Sequence, residues 1–255
     1  MSKKIKALIA VGGTGGHVFP GYNLANHLIE KGFDVDLVTD KRGNKYLKNL
    51  QKFNISILPS VPLNKKNIFT IFSSLILIFF FIFRSVLFLL FNRPKIIFGM
   101  GGYASFPICI AATILKIKLV IYENNLIIGK ANRYLLPFAK KILVSFRELE
   151  GIPKRYESKI FEIGNIIKKE ILNLPHLDTK NEKKQLIKIL VLGGSQAAKI
   201  FAEKLPIIFR NCSNKGISLK IYQQCLSIQN DSLNLFYREN NIDCEIFNFS
   251  YNLEE

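Results

Sequence analysis

The chain has 255 residues, of which 49% are hydrophobic and 22% are charged, a balance that excludes a disordered chain and fits one large or two modest domains. The net charge of +17 has two explanations, an anionic binding partner or an organism whose proteins are rich in lysine throughout. The 4 cysteines show no C-x-x-C spacing, so we expect reduced, mostly buried thiols in a cytosolic protein and no metal site.

The first predicted element is a buried strand over residues 6–11, which runs into the stretch VGGTGGHVFPG at residues 11–21. Apolar residues at helical spacing then predict a helix that Gly32 ends. Glycines let backbone N–H groups approach a ligand closely, and the start of a helix favours an anion. The stretch matches neither G-x-G-x-x-G nor G-K-[ST]. It therefore indicates either another kind of phosphate and sugar site or only a tight turn.

Further apolar runs predict strands at residues 34–38, 55–58, 96–98, 118–122 and 141–144. Helical or glycine-rich spacers separate most of them, which favours a doubly wound α/β sheet. The polar stretch 164–188 predicts a connection, after which residues 187–196 repeat the plan of a strand and a double glycine. A helix over 197–209, a strand over 219–223, a helix over 228–240 and a strand over 245–249 follow. Three strands make a small core, so we expect a shortened second unit.

The apolar segment 68–91 is long enough to cross a membrane. A spanning helix would separate the strands on its two sides, and Arg84 inside it would be costly. A helix buried on all sides would need more cover than a crossover helix receives. We favour a crossover helix with one face on the sheet and the other in lipid. Basic residues suit that position beside anionic head groups, namely Lys65, Lys66, Arg84, Arg93 and Lys95.

Two more loops follow predicted strands, GMGGYAS at residues 99–105 and YENN at 122–125. Loops at the carboxyl ends of strands bind ligands in open α/β sheets. We therefore expect these loops, the first glycine loop and residues 193–196 to line one cleft.

In order and spacing, GGTGGHVFPG, GMGGYAS, ENN, GN and LGGSQ resemble the MurG family of N-acetylglucosaminyltransferases. The family has two Rossmann-like domains with a cleft between them, the GT-B architecture. The resemblance covers essentially the whole chain and implies an α/β fold with three parts. These are an acceptor and membrane-associated domain over residues 1–164, a connection over 165–187 and a partial donor-nucleotide domain over 188–255. The rest of the family's second domain has no counterpart after Glu255, so we expect this domain to be incomplete.

The resemblance also implies a reaction. N-acetylglucosamine passes from UDP-N-acetylglucosamine to the 4-hydroxyl of undecaprenyl-pyrophosphoryl-N-acetylmuramoyl-pentapeptide, which converts lipid I to lipid II in peptidoglycan synthesis. The family inverts the anomeric centre without an essential metal, and no cofactor is implied. The implied location is peripheral, on the cytoplasmic face of the bacterial inner membrane. The anionic membrane surface would be bound through residues 68–91, with no nucleic-acid partner.

The resemblance places donor-binding positions at Thr14, Gly15, Gly16, Asn125 and Ser195. A family arginine position carries Lys168, which keeps the charge but loses the bidentate fork. The glycine loops extend the predicted substrate site to Gly102, Tyr103, Gly194 and Gln196.

Sugar transfer needs a base for the acceptor hydroxyl and stabilisation of the departing diphosphate. His17 is one candidate for the base or for a group that positions the acceptor, because a pKa near 6.5 suits proton transfer at neutral pH. The alternative for His17 is a hydrogen bond at the helix start. Glu123 is the competing base, and its alternative is a structural carboxylate that holds loop N–H groups.

Two other functions compete with the transferase. One is a non-catalytic membrane-binding fragment or subunit that lacks the donor half. The other is a nucleotide-dependent oxidoreductase with Asp40 on a ribose, which the missing dinucleotide fingerprint disfavours.

Overall fold

In the computed structural model, residues 4–47, 53–62, 67–173, 186–193 and 197–248 are described. They form two compact units, Met1–Leu172 and Asn173–Glu255. The predicted boundaries at residues 164 and 188 stay predictions. Several residues singled out from the sequence lie outside the described ranges, namely Lys65, Lys66, Gly194, Ser195 and Gln196.

The first unit holds a parallel sheet of 7 strands in the order β3-β2-β1-β4-β5-β6-β7. The strands are β1 Lys6–Ala10, β2 Asp34–Thr39, β3 Ile55–Ile57, β4 Ile96–Gly99, β5 Lys118–Glu123, β6 Lys141–Val144 and β7 Ile160–Glu162. The six predicted strands are confirmed, with ends that agree within one residue. β7 was not predicted, because two of its three residues are exposed and it shows no apolar run.

Helices cover both faces of this sheet. The helices of this unit are α1 Gly15–Glu30, α2 Lys41–Leu47, α3 Ile68–Asn92, α4 Phe106–Ile114, α5 Lys130–Leu135 and α6 Lys169–Leu172. In β1, Leu8 and Ala10 belong to the core cluster that includes α4 residues, whereas Ala7 and Ile9 belong to the cluster that includes α1 residues. This alternation follows from the two-residue period of a strand. The predicted doubly wound α/β sheet is confirmed.

α3 has one buried face and one exposed face. It begins with a capping box between Asn67 and Thr70 and ends at Arg93, whose φ is 47°. Its buried residues are Ser74, Ser85 and Leu89, whereas most of its aromatic residues are exposed. α3 is also the one helix in the described part of the chain that is long and apolar enough to cross a membrane.

The topology decides between the three interpretations of this segment. The strands before and after α3 belong to one sheet, in which β1 pairs with β4. A spanning helix is incompatible with that pairing, because it would place β3 and β4 on opposite sides of a bilayer. A helix buried on all sides is equally wrong, since its outer face is exposed. The crossover helix with one face on the domain is the arrangement observed.

The second unit has three parallel strands in the order β10-β9-β8. Its elements are β8 Ile187–Val191, α7 Ala197–Asn214, β9 Leu219–Gln224, α8 Asn230–Glu239 and β10 Asp243–Phe247. The predicted order of strands and helices is confirmed, although β10 begins two residues earlier than expected. Tyr237 is fully buried in its core and donates to the Gln223 Oε1 atom. All 4 cysteines are free, two of them buried and two half-buried.

Candidate functional site

Three loops of the first unit lie side by side at the carboxyl edge of the sheet. They follow β1, β4 and β5, which are neighbours in the strand order. The order reverses between β1 and β4, because β2 and β3 continue on one side and β5 to β7 on the other. Open α/β sheets bind ligands in the crevice at such a switch point. The sheet thus brings both glycine loops and the loop after β5 to the edge where a ligand is expected.

The two glycine loops pack directly against each other. A Cβ atom on Gly12 would lie 2.6 Å from the Ala104 Cβ atom, closer than two carbon atoms can approach. Gly101 has a φ of 88°, in the left-handed region that side chains other than glycine rarely adopt. The glycines therefore serve a close approach of two loops, which supports a built site over a simple turn.

His17, in the first turn of α1, lies against the second glycine loop. Its Nδ1 atom is 3.2 Å from the place of a Cβ atom on Gly101, and its Cδ2 atom is 3.2 Å from that place on Gly102. Burial lowers the pKa of His17, whereas the Glu123 charge and the Met100 backbone oppose the shift. The Nδ1 atom is buried and makes no hydrogen bond of normal geometry, to Met100 or to any other described residue. The lowered pKa favours a neutral ring at neutral pH, the form that a base requires.

Glu123 ends β5 and is only 2% exposed. Its Oε1 atom accepts from the Asn125 backbone N at 3.2 Å and from Asn125 Nδ2 at 2.6 Å. Its Oε2 atom accepts from the Gly129 backbone N at 2.8 Å and from Asn132 Nδ2 at 3.0 Å. These four donors fill the lone-pair positions of a carboxylate. The arrangement supports the structural alternative for Glu123, in which the carboxylate shapes the loop after β5.

The loop after β5 is also tied to the first glycine loop. Asn124 donates from Nδ2 to the Gly16 carbonyl oxygen at 3.1 Å, although the two residues are 108 positions apart. Asn125, a predicted donor-binding residue, is exposed and its side-chain amide donates to Glu123. The structure thus brings His17, Glu123, Asn125 and the glycine loops together, as the sequence predicted, while their contacts with substrate stay predictions.

Arg42 is a site residue that the sequence patterns did not reveal. Its Nε and Nη2 atoms donate to Asp40 Oδ2 at 3.0 and 2.9 Å. The guanidinium carbon lies 4.3 Å from the centroid of the Tyr103 ring, and Nη2 is 2.6 Å from the place of a Cβ atom on Gly13. A cation therefore stands between the two glycine loops. The only signal in the sequence is an Asp-x-Arg at the end of the second predicted strand.

The Asp40 carboxylate is already engaged in hydrogen bonds within the protein. Besides Arg42, its carboxylate accepts from the Gly43 backbone N at 2.8 Å and from the Ser60 hydroxyl at 3.2 Å. Burial raises the pKa of Asp40, but the hydrogen bonds from Gly43 and Arg42 outweigh burial and lower it overall. A carboxylate engaged in this way is poorly placed to bind a ribose, which weakens the oxidoreductase alternative.

Lys168 lies in the segment that follows β7. Tyr122, on β5, anchors this segment, because its hydroxyl accepts from the Ile166 backbone N at 3.3 Å and bonds the Ser145 hydroxyl at 2.7 Å. Lys168 is half-buried. The segment is thus held near the carboxyl end of β5, and the predicted contact of Lys168 with a pyrophosphate stays a prediction.

In the second unit, Gln224 ties the carboxyl ends of three strands together. Its Oε1 atom accepts from the Gly193 backbone N at 3.1 Å, and its Nε2 atom donates to the Asn248 carbonyl oxygen at 3.0 Å. Gly193 opens the third predicted glycine loop, whose next residues, 194–196, lie outside the described ranges. The predicted donor contacts of that loop stay predictions.

A doubly wound sheet with glycine loops at its switch point is shared by several enzyme classes, and comparison with known proteins narrows the choice. Residues 7–144 match the glycosyltransferase family 28 N-terminal domain. The chain therefore belongs to glycosyltransferase family 28.

The relatives narrow the assignment further. A protein of Pelagibacter ubique named UDP-N-acetylglucosamine–N-acetylmuramyl-(pentapeptide) pyrophosphoryl-undecaprenol N-acetylglucosamine transferase is 37% identical over 250 residues, which are 98% of this chain and 68% of that protein. A protein of the same name from Rickettsia felis is 32% identical and covers 97% of this chain, which spans 69% of its length. The resemblance to the MurG family and the expectation of an enzyme that transfers a hexose are confirmed. The matches do not favour the non-catalytic alternative.

Solved structures share the fold. A crystal structure of Acinetobacter baumannii MurG matches with a TM-score of 0.70 and 24% identity, over 98% of this chain and 70% of that one. A UDP-GlcNAc 2-epimerase from Neisseria meningitidis, solved with UDP-GlcNAc bound, matches with a TM-score of 0.58 and 11% identity, over 96% and 73% of the two chains. At these identities the likeness shows a Rossmann-like architecture and no more.

Proposed function

We propose that the chain transfers N-acetylglucosamine from UDP-N-acetylglucosamine to the 4-hydroxyl of undecaprenyl-pyrophosphoryl-N-acetylmuramoyl-pentapeptide. The observation that carries the proposal is the placement of His17, at the end of the first glycine loop, against the second glycine loop at the switch point of the sheet. The proposal is supported by relatives that bear the name of this transferase.

In the proposed reaction the acceptor oxygen attacks the anomeric carbon of the donor sugar. The new C–O bond forms as the bond from that carbon to the phosphate oxygen breaks, and UDP departs with the bonding electrons. The proton of the acceptor hydroxyl passes to His17, whose lowered pKa favours the neutral form. Attack from the face opposite the leaving group inverts the anomeric centre.

The same loops offer stabilisation for a diphosphate. Thr14 precedes α1 without a side-chain capping hydrogen bond, and the first turn of α1 carries no acidic residue. Backbone N–H groups there and the helix dipole favour an anion. Arg42 adds a fixed positive charge beside Gly13. We expect these groups to contact phosphate oxygens of a substrate.

The transfer assay follows labelled N-acetylglucosamine from its uridine diphosphate to a lipid-linked muramoyl-pentapeptide by the purified chain. We expect transfer by the wild type and a loss of about 100-fold or more in His17→Ala, the usual effect of a missing base. His27→Ala is the matched control, because His27 lies exposed on the same helix. A folded wild-type chain that transfers no sugar would contradict the proposed activity, and equal rates in both variants would contradict the role of His17.

We further propose that the outer face of α3 contacts the anionic cytoplasmic surface of the bacterial inner membrane. Phe72, Phe79 and Phe83 are 66%, 70% and 59% exposed, and they follow one another at helical spacing. A continuous apolar face of this size marks an interaction surface. Arg93 and Lys95 are exposed at the end of the helix, where cations are drawn to anionic head groups. This position would bring the site to a lipid-linked acceptor while the protein stays peripheral.

Vesicle binding tests the membrane proposal. Burying a whole Phe side chain contributes about 1.5–3 kcal/mol, so losing two that are roughly two-thirds exposed costs about 2–4 kcal/mol of partitioning. Phe79→Ser with Phe83→Ser should therefore weaken co-sedimentation with phosphatidylglycerol vesicles roughly 30-fold or more. Ile200→Ser with Ile208→Ser, on the exposed side of α7, is the control. Equal losses in both pairs would contradict the assignment to α3.

A further inference from the structure

Two side chains that flank Gly101 each carry a buried polar atom without a hydrogen-bond partner. Among the described residues, His17 Nδ1 and Asn132 Oδ1 are both buried and make no hydrogen bond of normal geometry, although the Met100 backbone is close enough to the His17 ring to oppose the lowering of its pKa. The place of a Cβ atom on Gly101 lies 3.2 Å from His17 Nδ1 and 3.5 Å from Asn132 Nδ2, so both side chains flank this residue. Buried polar groups are nearly always paired, because an unpaired one costs about 1–3 kcal/mol. The unpaired state of His17 Nδ1 and Asn132 Oδ1 therefore needs an explanation.

The orientation of the Asn132 amide is fixed by its neighbours. Its Nδ2 atom donates to Glu123 Oε2 at 3.0 Å and to the Tyr122 carbonyl oxygen at 2.9 Å. Both partners are acceptors only, so the nitrogen must face them and the oxygen must face away. Asn132 Oδ1 is thus an acceptor without a donor, on a side chain that flanks the same glycine as a ring nitrogen able to carry a proton.

We propose that Asn132 is a positioning residue whose Oδ1 atom accepts a hydrogen bond from a water that in turn accepts from the Nδ1–H group of His17. This hydrogen bonding gives both unpaired atoms a partner and holds the proton of the neutral ring on Nδ1. The lone pair is then at Nε2, the nitrogen left to take the proton of the acceptor hydroxyl. Glu123 acts one step further away, because its carboxylate sets the direction of the Asn132 amide. The inference deepens the proposed function and rests on it for the role of the proton.

The tautomer of His17 can be read without substrate. In the full chain labelled with ¹⁵N-histidine, long-range ¹H–¹⁵N correlations distinguish the nitrogen that carries the proton, and His17→Gln assigns the resonance among 3 histidines. We expect neutral His17 to carry its proton on Nδ1 in the wild type. A proton on Nε2 would overturn the proposal, whatever the outcome of the transfer assay, so the two proposals fail separately.

Asn132→Leu removes the acceptor while keeping the size of the side chain. We expect this variant to lose the preference for Nδ1–H, and its kcat to fall about 100-fold with a smaller change in KM. Asn124→Leu is the matched control, because Asn124 donates to the carbonyl oxygen of Gly16, the chain neighbour of His17, and it should keep the wild-type tautomer. A folded Asn132→Leu chain with an unchanged tautomer would overturn the role of Asn132.

A second measurement covers the case in which Asn132→Leu does not fold. In the wild type, the side-chain amide resonances of Asn132 should shift with the same pH midpoint as the His17 ring, because the two groups are hydrogen-bonded to the same water in the proposed arrangement. The shift should vanish in His17→Gln. Asn132 resonances that ignore the titration of His17 would overturn the proposal.

Discussion

Replacing Glu123 by Gln separates its two candidate roles. The carboxylate accepts four hydrogen bonds in a buried position, from Asn125, Gly129 and Asn132. The Gln oxygen can keep only two of them, and we expect it to stay with the buried donors of Gly129 and Asn132. The new amide group then faces Asn125, which is exposed and can turn to water.

The expected cost follows from these contacts. Two hydrogen bonds to a charged group are lost and two others become neutral, and hydrogen bonds to charged groups contribute about 1.5–3 kcal/mol each. After Asn125 turns away, we expect the free energy of unfolding to fall by about 2–4 kcal/mol. Urea unfolding followed by circular dichroism, with an unchanged m-value, measures the loss.

Glu150→Gln is the control, because Glu150 is exposed near the same loop and should change stability by less than about 0.5 kcal/mol. An unchanged unfolding midpoint in Glu123→Gln would refute the structural reasoning. If such a stable variant also lost transfer, Glu123 would be the base.

Three further predictions concern the glycine loop, the histidine and a thiol. Gly12→Ala should destabilise the protein by about 1–3 kcal/mol, because its Cβ atom would overlap Ala104, whereas the Cβ atom of Gly16→Ala would meet only the Thr14 hydroxyl at 3.9 Å, an ordinary contact. Equal unfolding midpoints of the two variants would contradict the packing argument. Burial lowers the pKa of His17 below its unfolded value of about 6.5, so the unfolded chain binds the proton first and the free energy of unfolding should fall as the pH drops below that value. Urea titrations between pH 7 and 5 should show a smaller loss of stability in His17→Gln than in the wild type. The same loss in both proteins would contradict the lowered pKa. Burial raises the pKa of Cys109 to about 12, so iodoacetamide should label Cys212 in the folded protein and label Cys109 only after unfolding. Mass spectrometry of tryptic peptides measures the two labelling rates, and equal rates in the folded protein would contradict this prediction.

The elements near the site differ in how well the sequence predicted them. β1 and β5 are central strands, so their buried residues form continuous apolar runs that stand out in the sequence. β7 is a three-residue strand with an exposed Phe161 and Glu162, and only its pairing with β6 makes it a strand. The hydrophobic pattern of the sequence therefore predicted the buried strands and missed β7, which is a strand only because it pairs with β6.

The candidate site divides in the same way. Both glycine loops and His17 were predictable, because a strand, a run of glycines and a helix lie within a few consecutive residues. The contacts of Arg42 with Tyr103 and of Asn124 with Gly16 were not, since each joins residues that are distant in the chain. The sequence patterns left Glu123 open between two roles, and its four hydrogen bonds favour one of them.

The α/β class, the order of the main elements, the glycine loops and the family resemblance could all be predicted from the amino-acid sequence, because hydrophobic periodicity and turn residues act over short stretches of chain. The exposed face of α3, the four donors around Glu123 and the side chains that flank Gly101 became visible only in the folded chain. These features depend on strand order and on side-chain contacts across the sheet, and a local pattern carries no information about either.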